Sequence, residues 1–267
     1  MKTKDAAGLF LKSRITKGLS PDTIRWYAGI LRAFTEANRS LPKSPGAIDD
    51  FISSCTAGDE RRHGYYRALR AFYAFLNKRY NIPNVLKRTE APKRRAKKPR
   101  PLTLDELDQV FSYPHTPKTR GILMFLIDTG ARIGELAGLS PQDISNTPWG
   151  YIARISGKTG TRLVPISCQT FRAIEGHLPL GYSIYRLRRL VSAAFADARV
   201  KGSSINLRHS FATYWEGDEY TLQQIMGHAH FSTTQIYRHL RTEVISKQHR
   251  EFTPLKMIYS TKRLNML

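Results

Sequence analysis

The 267 residues carry 43 Lys and Arg against 21 Asp and Glu, and a formal net charge of +22 repels itself in a compact fold unless a polyanion is present, with nucleic acid the first candidate. No apolar run reaches spanning length, no lipidation motif marks either end, and the N-terminal segment lacks a secretory cleavage site, so a cytoplasmic, nucleoid-associated protein without a membrane partner is expected. The two cysteines, Cys55 and Cys168, lie far apart with no CxxC partner, which excludes a disulfide framework and a cysteine zinc site and predicts two small buried hydrophobes.

Residues 1 to about 84 read as helices. "LSPDTIRWYAGILRAFTEA" offers Ser20 as N-cap and Pro21 at the first helical position, then Ile24, Tyr27, Ile30, Leu31 and Phe34 at helical spacing. In "ERRHGYYRALRAFYAFLNKRY", Tyr65, Leu69, Phe72 and Leu76 form an apolar stripe, which predicts core. Arg61, Arg62, Arg67 and Arg70 fall on other faces, open to a solvated role or to phosphate contact. The composition then shifts: "LKRTEAPKRRAKKPRPL" sets Lys93, Arg94, Arg95, Lys97 and Lys98 among prolines, so no core can form there. The expected organisation is a helical domain over 1–86, a basic linker over 87–101 able to lie along a phosphate backbone, and a second domain over 102–267.

The second domain opens at "LTLDEL", where Thr103 and Glu106 are spaced as a capping box. "GILMFLIDTG" is apolar nearly all round and predicts a buried helix closed by Gly130. "YIARISGKTGTRLVPIS" places two β-prone runs about a Gly-Lys-Thr-Gly turn, the pattern of a β-hairpin. The fold class is therefore mainly α with a small antiparallel β-sheet, in two domains. The tail holds Leu240, Val244, Ile245, Phe252, Leu255, Met257 and Ile258, enough apolar surface to dock, in cis or in trans.

Groups suited to a phosphodiester occur at four separated places. Arg132 follows a glycine break, with Glu135 one helical turn on to orient it; Lys158 is at the hairpin tip; Arg208 lies in "INLRHSFATYW"; and "GHAHFSTTQIYRH" holds His228 and Tyr237. Taken singly, such arginines are more often structural ion-pair residues and a hairpin-tip lysine is usually solvated. His228, His230 and His239 fit no common zinc spacing, so no metal is expected. Ser232 and Gln235 read as a helix start that would carry Tyr237.

As an ordered set, "TGARIGELAGL", "SGKTGTRLVPI", "LRHSFATYW" and "IMGHAHFSTTQIYRH" resemble the catalytic domain of the tyrosine recombinase family, the phage integrases and Xer-type recombinases, over roughly residues 97 to 245. The resemblance implies a two-domain clamp on double-stranded DNA, the first domain being the family's helical core-binding domain. It also implies a homo-tetramer on DNA with exchange of C-terminal tails. By position, Tyr237 would be the nucleophile, Arg132 and Arg208 the phosphate clamp, Lys158 the general acid and His228 a phosphate-side helper, with no cofactor and no small-molecule substrate. The family's second arginine usually ends a His-x-x-Arg motif, whereas Ile205 stands three residues before Arg208. Isoleucine cannot move a proton, and His209 points elsewhere on a helix. That departure keeps open a catalytically silent DNA-binding accessory protein, and the shared chemistry keeps open a type IB topoisomerase-like enzyme.

Overall fold

The computed structural model describes residues 1–56, 58–93, 100–157, 160–227 and 242–255, the side chains of 242–244 excepted. The chain forms two compact units, Met1–Lys97 and Lys98–Leu267.

The first unit is built from α1 (Thr3–Thr16), α2 (Pro21–Ala37), α3 (Pro45–Ser53) and α4 (Gly58–Tyr80). The Ser20 side chain accepts from the Thr23 N–H and Pro21 occupies the first turn of α2, so the expected cap forms. Ile30, Leu31 and Phe34 are buried, while Ile24 and Tyr27 at the same helical spacing are half-buried. Leu69, Phe72 and Leu76 of α4 meet Phe10, Phe34 and Ile48 in one core. Phe10 lies edge-on to Tyr27, Phe72 and Phe75, with ring centroids 5.1, 5.6 and 5.6 Å away, the geometry that aromatic quadrupoles favour. A 3-10 turn at Val85–Arg88 adds Val85 and Leu86 to this core, and Cys55 is buried as expected.

The second unit begins where Leu102 is fully buried and its backbone N–H donates to Ser210 Oγ at 2.8 Å. Thr103 and Glu106 form their capping box at the head of α5 (Leu104–Ser112). Helix α6 (Pro117–Thr129) is buried from Gly121 through Thr129 and ends at Gly130, whose φ of 59° is the left-handed cap that the sequence anticipates. A short α7 (Ile133–Ala137) leads to an antiparallel sheet of β1 (Ile144–Thr147), β2 (Gly150–Gly157) and β3 (Gly160–Ile166), in that order. The β2–β3 hairpin agrees with its sequence pattern; β1 does not show in the sequence, because "ISNT" has a single strong apolar residue and no alternation to read. The remaining described α-helices are α8 (Cys168–Ile174), α9 (Ile184–Asp197), α10 (Ser204–Thr213), α11 (Glu219–Met226) and α12 (Thr242–Phe252).

The mainly α architecture with a small antiparallel sheet is thus as expected. Cys168 is not: it is exposed on the first turn of α8, whose buried positions are Thr170 and Ile174. The tail docks on its own unit as far as it is described. Leu255 is buried in the core, with Ile245 and Phe252 packed against it. His249, also buried, hydrogen-bonds the Asp128 carbonyl oxygen at 2.6 Å. Leu240, Met257, Ile258 and the Val244 side chain lie outside the described residues.

Candidate active site

The site begins where α6 stops. Gly130 turns the chain through a left-handed conformation, and a Cβ there would stand 2.6 Å from Phe211 Cδ1 and 2.8 Å from Met226 Sδ, so only glycine lets α6, α10 and α11 meet this closely. Two residues later Arg132 caps α7 with extended backbone, its side chain 40% exposed. Glu135, 2% exposed, folds back to it: Oε2 accepts from the Arg132 backbone N–H at 2.6 Å and Oε1 from Arg132 Nη1 at 3.1 Å.

The same carboxylate takes a second arginine. Arg162 of β3 closes on it as a fork, Nη1 to Oε1 at 2.7 Å and Nη2 to Oε2 at 2.9 Å, and its Nε donates to the Ile225 carbonyl at 2.7 Å. Arg208 completes the group from α10. It is buried, with Nη2 donating to the Met226 carbonyl at 2.7 Å and Nη1 to the Gly130 carbonyl. Two of its five N–H groups are thereby committed, which fixes the plane of the guanidinium and leaves the others for a ligand.

Two guanidinium groups therefore bind one carboxylate, and the third, Arg208, is within electrostatic reach of all three groups, a local formal charge of +2 that favours an anion. Burial, then the neighbouring Arg132 and Arg162, lower the Arg208 pKa to about 10, so it stays largely charged at neutral pH. Burial by itself raises the Glu135 pKa, but hydrogen bonds from the Arg162 side chain and the Arg132 backbone, with the Arg162 charge, hold it below the ordinary carboxylate value.

Of the residues the sequence singled out, the structure brings Arg132, Glu135 and Arg208 together. Lys158, His228 and Tyr237, with His230, His239 and the helix start at Ser232, lie outside the described residues. Their backbone neighbours do not all: Gly157, which precedes Lys158, is packed so tightly on Glu135 that a Cβ there would lie 2.9 Å from Cγ. Gly227, which precedes His228, has φ of 62° and backs onto Arg162, 2.9 Å from Cδ by the same measure. His209 is half-buried on the next position of α10, and Ile205, 60% exposed, stands one turn before Arg208.

In the first unit, Arg61, Arg70 and Lys93 are exposed; Arg67 is also exposed and reaches over the Trp26 ring, 5.9 Å from its centroid. Arg62 is half-buried, donating to the Cys55 carbonyl at 3.1 Å and lying 3.8 Å from Asp59. Arg94, Arg95, Lys97 and Lys98 lie outside the described residues. Among the described residues no cluster of three or more His, Cys, Asp or Glu could hold a metal ion, and no helix is long and apolar enough to cross a membrane.

Sequence reasoning passed over Arg162, although strand alternation could have found it. Arg162 pairs with the buried Ile155 and shares an inward face with Val164, an unusual place for an arginine without a partner. It also passed over the head of α9, where Tyr185, Arg188 and Arg189 are exposed. Ile184 there lies close to α7, 3.6 Å from where a Gly134 Cβ would be.

No family model matches the sequence. The chain is 32% identical over 215 residues to the tyrosine recombinase XerC of Pelobacter propionicus, covering 68% of this chain and 70% of that protein. It is 29% identical over 275 residues to XerC of Myxococcus xanthus, covering 86% and 91% of the two chains. Among solved structures, a lambda integrase (75–356) dimer bound to a COC′ core site superposes with a TM-score of 0.70 at 17% identity, over 90% of this chain and 100% of that one. XerH bound to palindromic difH substrate gives 0.64 at 20% identity, over 97% and 84%. These two share the fold with this protein.

Proposed function

Because the chain belongs to the tyrosine recombinase family, we propose that the Arg132–Glu135–Arg162–Arg208 cluster is the scissile-phosphate site of a site-specific DNA recombinase. The observation that carries the reading is convergence. Two arginines far apart in sequence meet at one carboxylate-anchored centre, and the backbone neighbours of Lys158 and His228 abut that same centre.

The chemistry then follows from the residue types. The Tyr237 hydroxyl loses its proton to solvent and the phenolate attacks phosphorus, so that a Tyr Oη–P bond forms and the bond from phosphorus to the 5′ oxygen breaks. A proton from Lys158 neutralises that leaving oxygen, giving a 3′-phosphotyrosyl link and a free 5′ hydroxyl. Negative charge builds on the non-bridging oxygens during attack. Guanidinium donors already fixed in place stabilise that charge more than they stabilise the bound ground state. Arg208, tied to two backbone carbonyls, is prearranged for this; Arg132, more exposed and oriented by Glu135, is the donor a DNA strand meets first. His228 adds a further donor beside the phosphate and, with the arginines, favours the phenolate of Tyr237. Attack by another 5′ hydroxyl on the phosphotyrosine, its proton passing to Lys158, forms a new bond from phosphorus to the 5′ oxygen as the Tyr Oη–P bond breaks and so joins strands, one phosphoester bond being exchanged for another in each step.

The first unit is the proposed core-binding domain, with Arg61, Arg67, Arg70 and Lys93 as exposed phosphate contacts, together with Arg94, Arg95, Lys97 and Lys98. Arg62, held by Cys55 and Asp59, contributes less. Copies of the protein assemble on double-stranded DNA as a tetramer, with exchange of C-terminal tails between protomers.

The test uses duplexes selected by binding from a random-sequence pool and nicked near the centre of the protected site, so that a cleaved strand end diffuses away. Wild type is expected to accumulate a covalent protein–DNA adduct, and Tyr237→Phe to form none. Absence of an adduct with wild type overturns the reading.

A further inference from the structure

Arg162 belongs to the cluster but takes no chemical step in the scheme above, yet it is the side chain through which three elements of the site are joined. It starts on β3, its fork closes on Glu135 of α7, and its Nε holds the last turn of α11 at Ile225. With 11% of the side chain exposed, it faces protein. Gly227 backs directly onto it, a Cβ there standing 2.9 Å from Arg162 Cδ.

Resting on the reading of this cluster as the phosphate site, we propose that Arg162 is a positioning residue for strand cleavage. It holds the carboxylate that aims Arg132 and the last turn of α11, and it acts through those groups without touching the substrate. Both Glu135 oxygens are shared, Oε1 between Arg132 Nη1 and Arg162 Nη1, Oε2 between the Arg132 N–H and Arg162 Nη2. The carboxylate plane is thereby set from both sides. Without the fork, one anion would have a single guanidinium to follow, and Arg132 would carry it off the geometry it now keeps. Lysine cannot substitute: an ammonium keeps the charge but cannot span two carboxylate oxygens and a carbonyl in one plane. Arg162 also helps depress the Arg208 pKa, so its charge is felt across the site.

The experiment measures three quantities on the full chain with the selected nicked duplexes: affinity for DNA, single-turnover rate of adduct formation, and melting temperature. Arg162→Lys is expected to bind DNA within about threefold of wild type and to stay folded, but to form adduct on the order of 100-fold more slowly, the scale of loss when reacting groups are misplaced by about an ångström. Glu135→Gln, which keeps the shape of the side chain, is expected to show the same split between affinity and rate. The double variant is expected to be no more than about threefold slower than the slower single one, because both changes break one contact. Wild-type rate in Arg162→Lys overturns the proposal, as does a loss of DNA affinity in parallel with the loss of rate, which marks a merely structural pair. Should Arg162→Lys fail to fold, Glu135→Gln decides by the same criteria. If wild type itself forms no adduct, the site reading fails and the proposal with it; if wild type reacts and both variants match it, only Arg162 loses its role.

Discussion

Arg208 donates to the Met226 carbonyl at 2.7 Å and to the Gly130 carbonyl, so one buried guanidinium ties the end of α11 to the end of α6. Arg208→Lys places a single ammonium where two acceptors need a rigid fork. One buried carbonyl then loses its partner, at a cost of about 1–3 kcal/mol. Adduct formation is expected to fall by roughly 100-fold or more, the usual effect of losing one fixed transition-state donor. Single-turnover cleavage and thermal melting read the two effects separately; a variant that melts lower yet cleaves normally contradicts the assignment of Arg208 to the phosphate.

Glu135 makes stability depend on acid. Its folded pKa lies below the ordinary value of 4.5, because hydrogen bonds from Arg162 and Arg132 outweigh burial. For a depressed carboxyl the stabilisation is present above the unfolded pKa and disappears as pH falls through the folded one. Glu135→Gln is therefore expected to melt below wild type at pH 7, by the equivalent of about 3 kcal/mol for a broken buried pair. The gap should narrow as pH drops below about 4.5. A gap that is constant down to pH 3 in scanning calorimetry contradicts the ion pair.

Asp128 anchors the tail. Fully buried, it accepts at Oδ2 from the Ser167 N–H at 2.8 Å and at Oδ1 from Thr253 Oγ1 at 2.8 Å, with His249 Nε2 3.4 Å from Oδ1. Asp128→Ala strands these groups and should cost about 2–4 kcal/mol. Hydrogen exchange should accelerate most over residues 245–255, which dock through this carboxylate. Unchanged protection there means the apolar contacts of Leu255 and Phe252 suffice.

Ile205 is a site where a substitution costs the fold little, being 60% exposed on the first turn of α10. Ile205→His is expected to shift stability by no more than about 0.5 kcal/mol and to raise the cleavage rate by restoring a group that can carry a proton one helical turn from Arg208. Rates measured from pH 6 to 9 give the answer; an unchanged profile shows that another group already fills this role.

Much of the fold was legible because it rests on local physics. The Ser20 cap, the Thr103–Glu106 box, the Gly130 stop and the hairpin about Gly157 and Gly160 each follow from residues within one turn of each other. β1 was not legible, being too short to show a period, and the exposure of Cys168 depends on which face of α8 meets the core. The candidate site divides along the same line. The order of Arg132, Lys158, Arg208, His228 and Tyr237 is a linear pattern, and with the charge of +22 it was enough by itself to point to DNA strand transfer. Only the tertiary structure decided that Arg132 and Arg162 share Glu135, that Arg208 is held by carbonyls at the ends of two helices, and that α12 docks through Asp128. The reason is physical: a cap or turn is settled by neighbours along the chain, whereas an ion pair between residues 27 positions apart, or a hydrogen bond across 78, exists only once packing has closed the chain on itself.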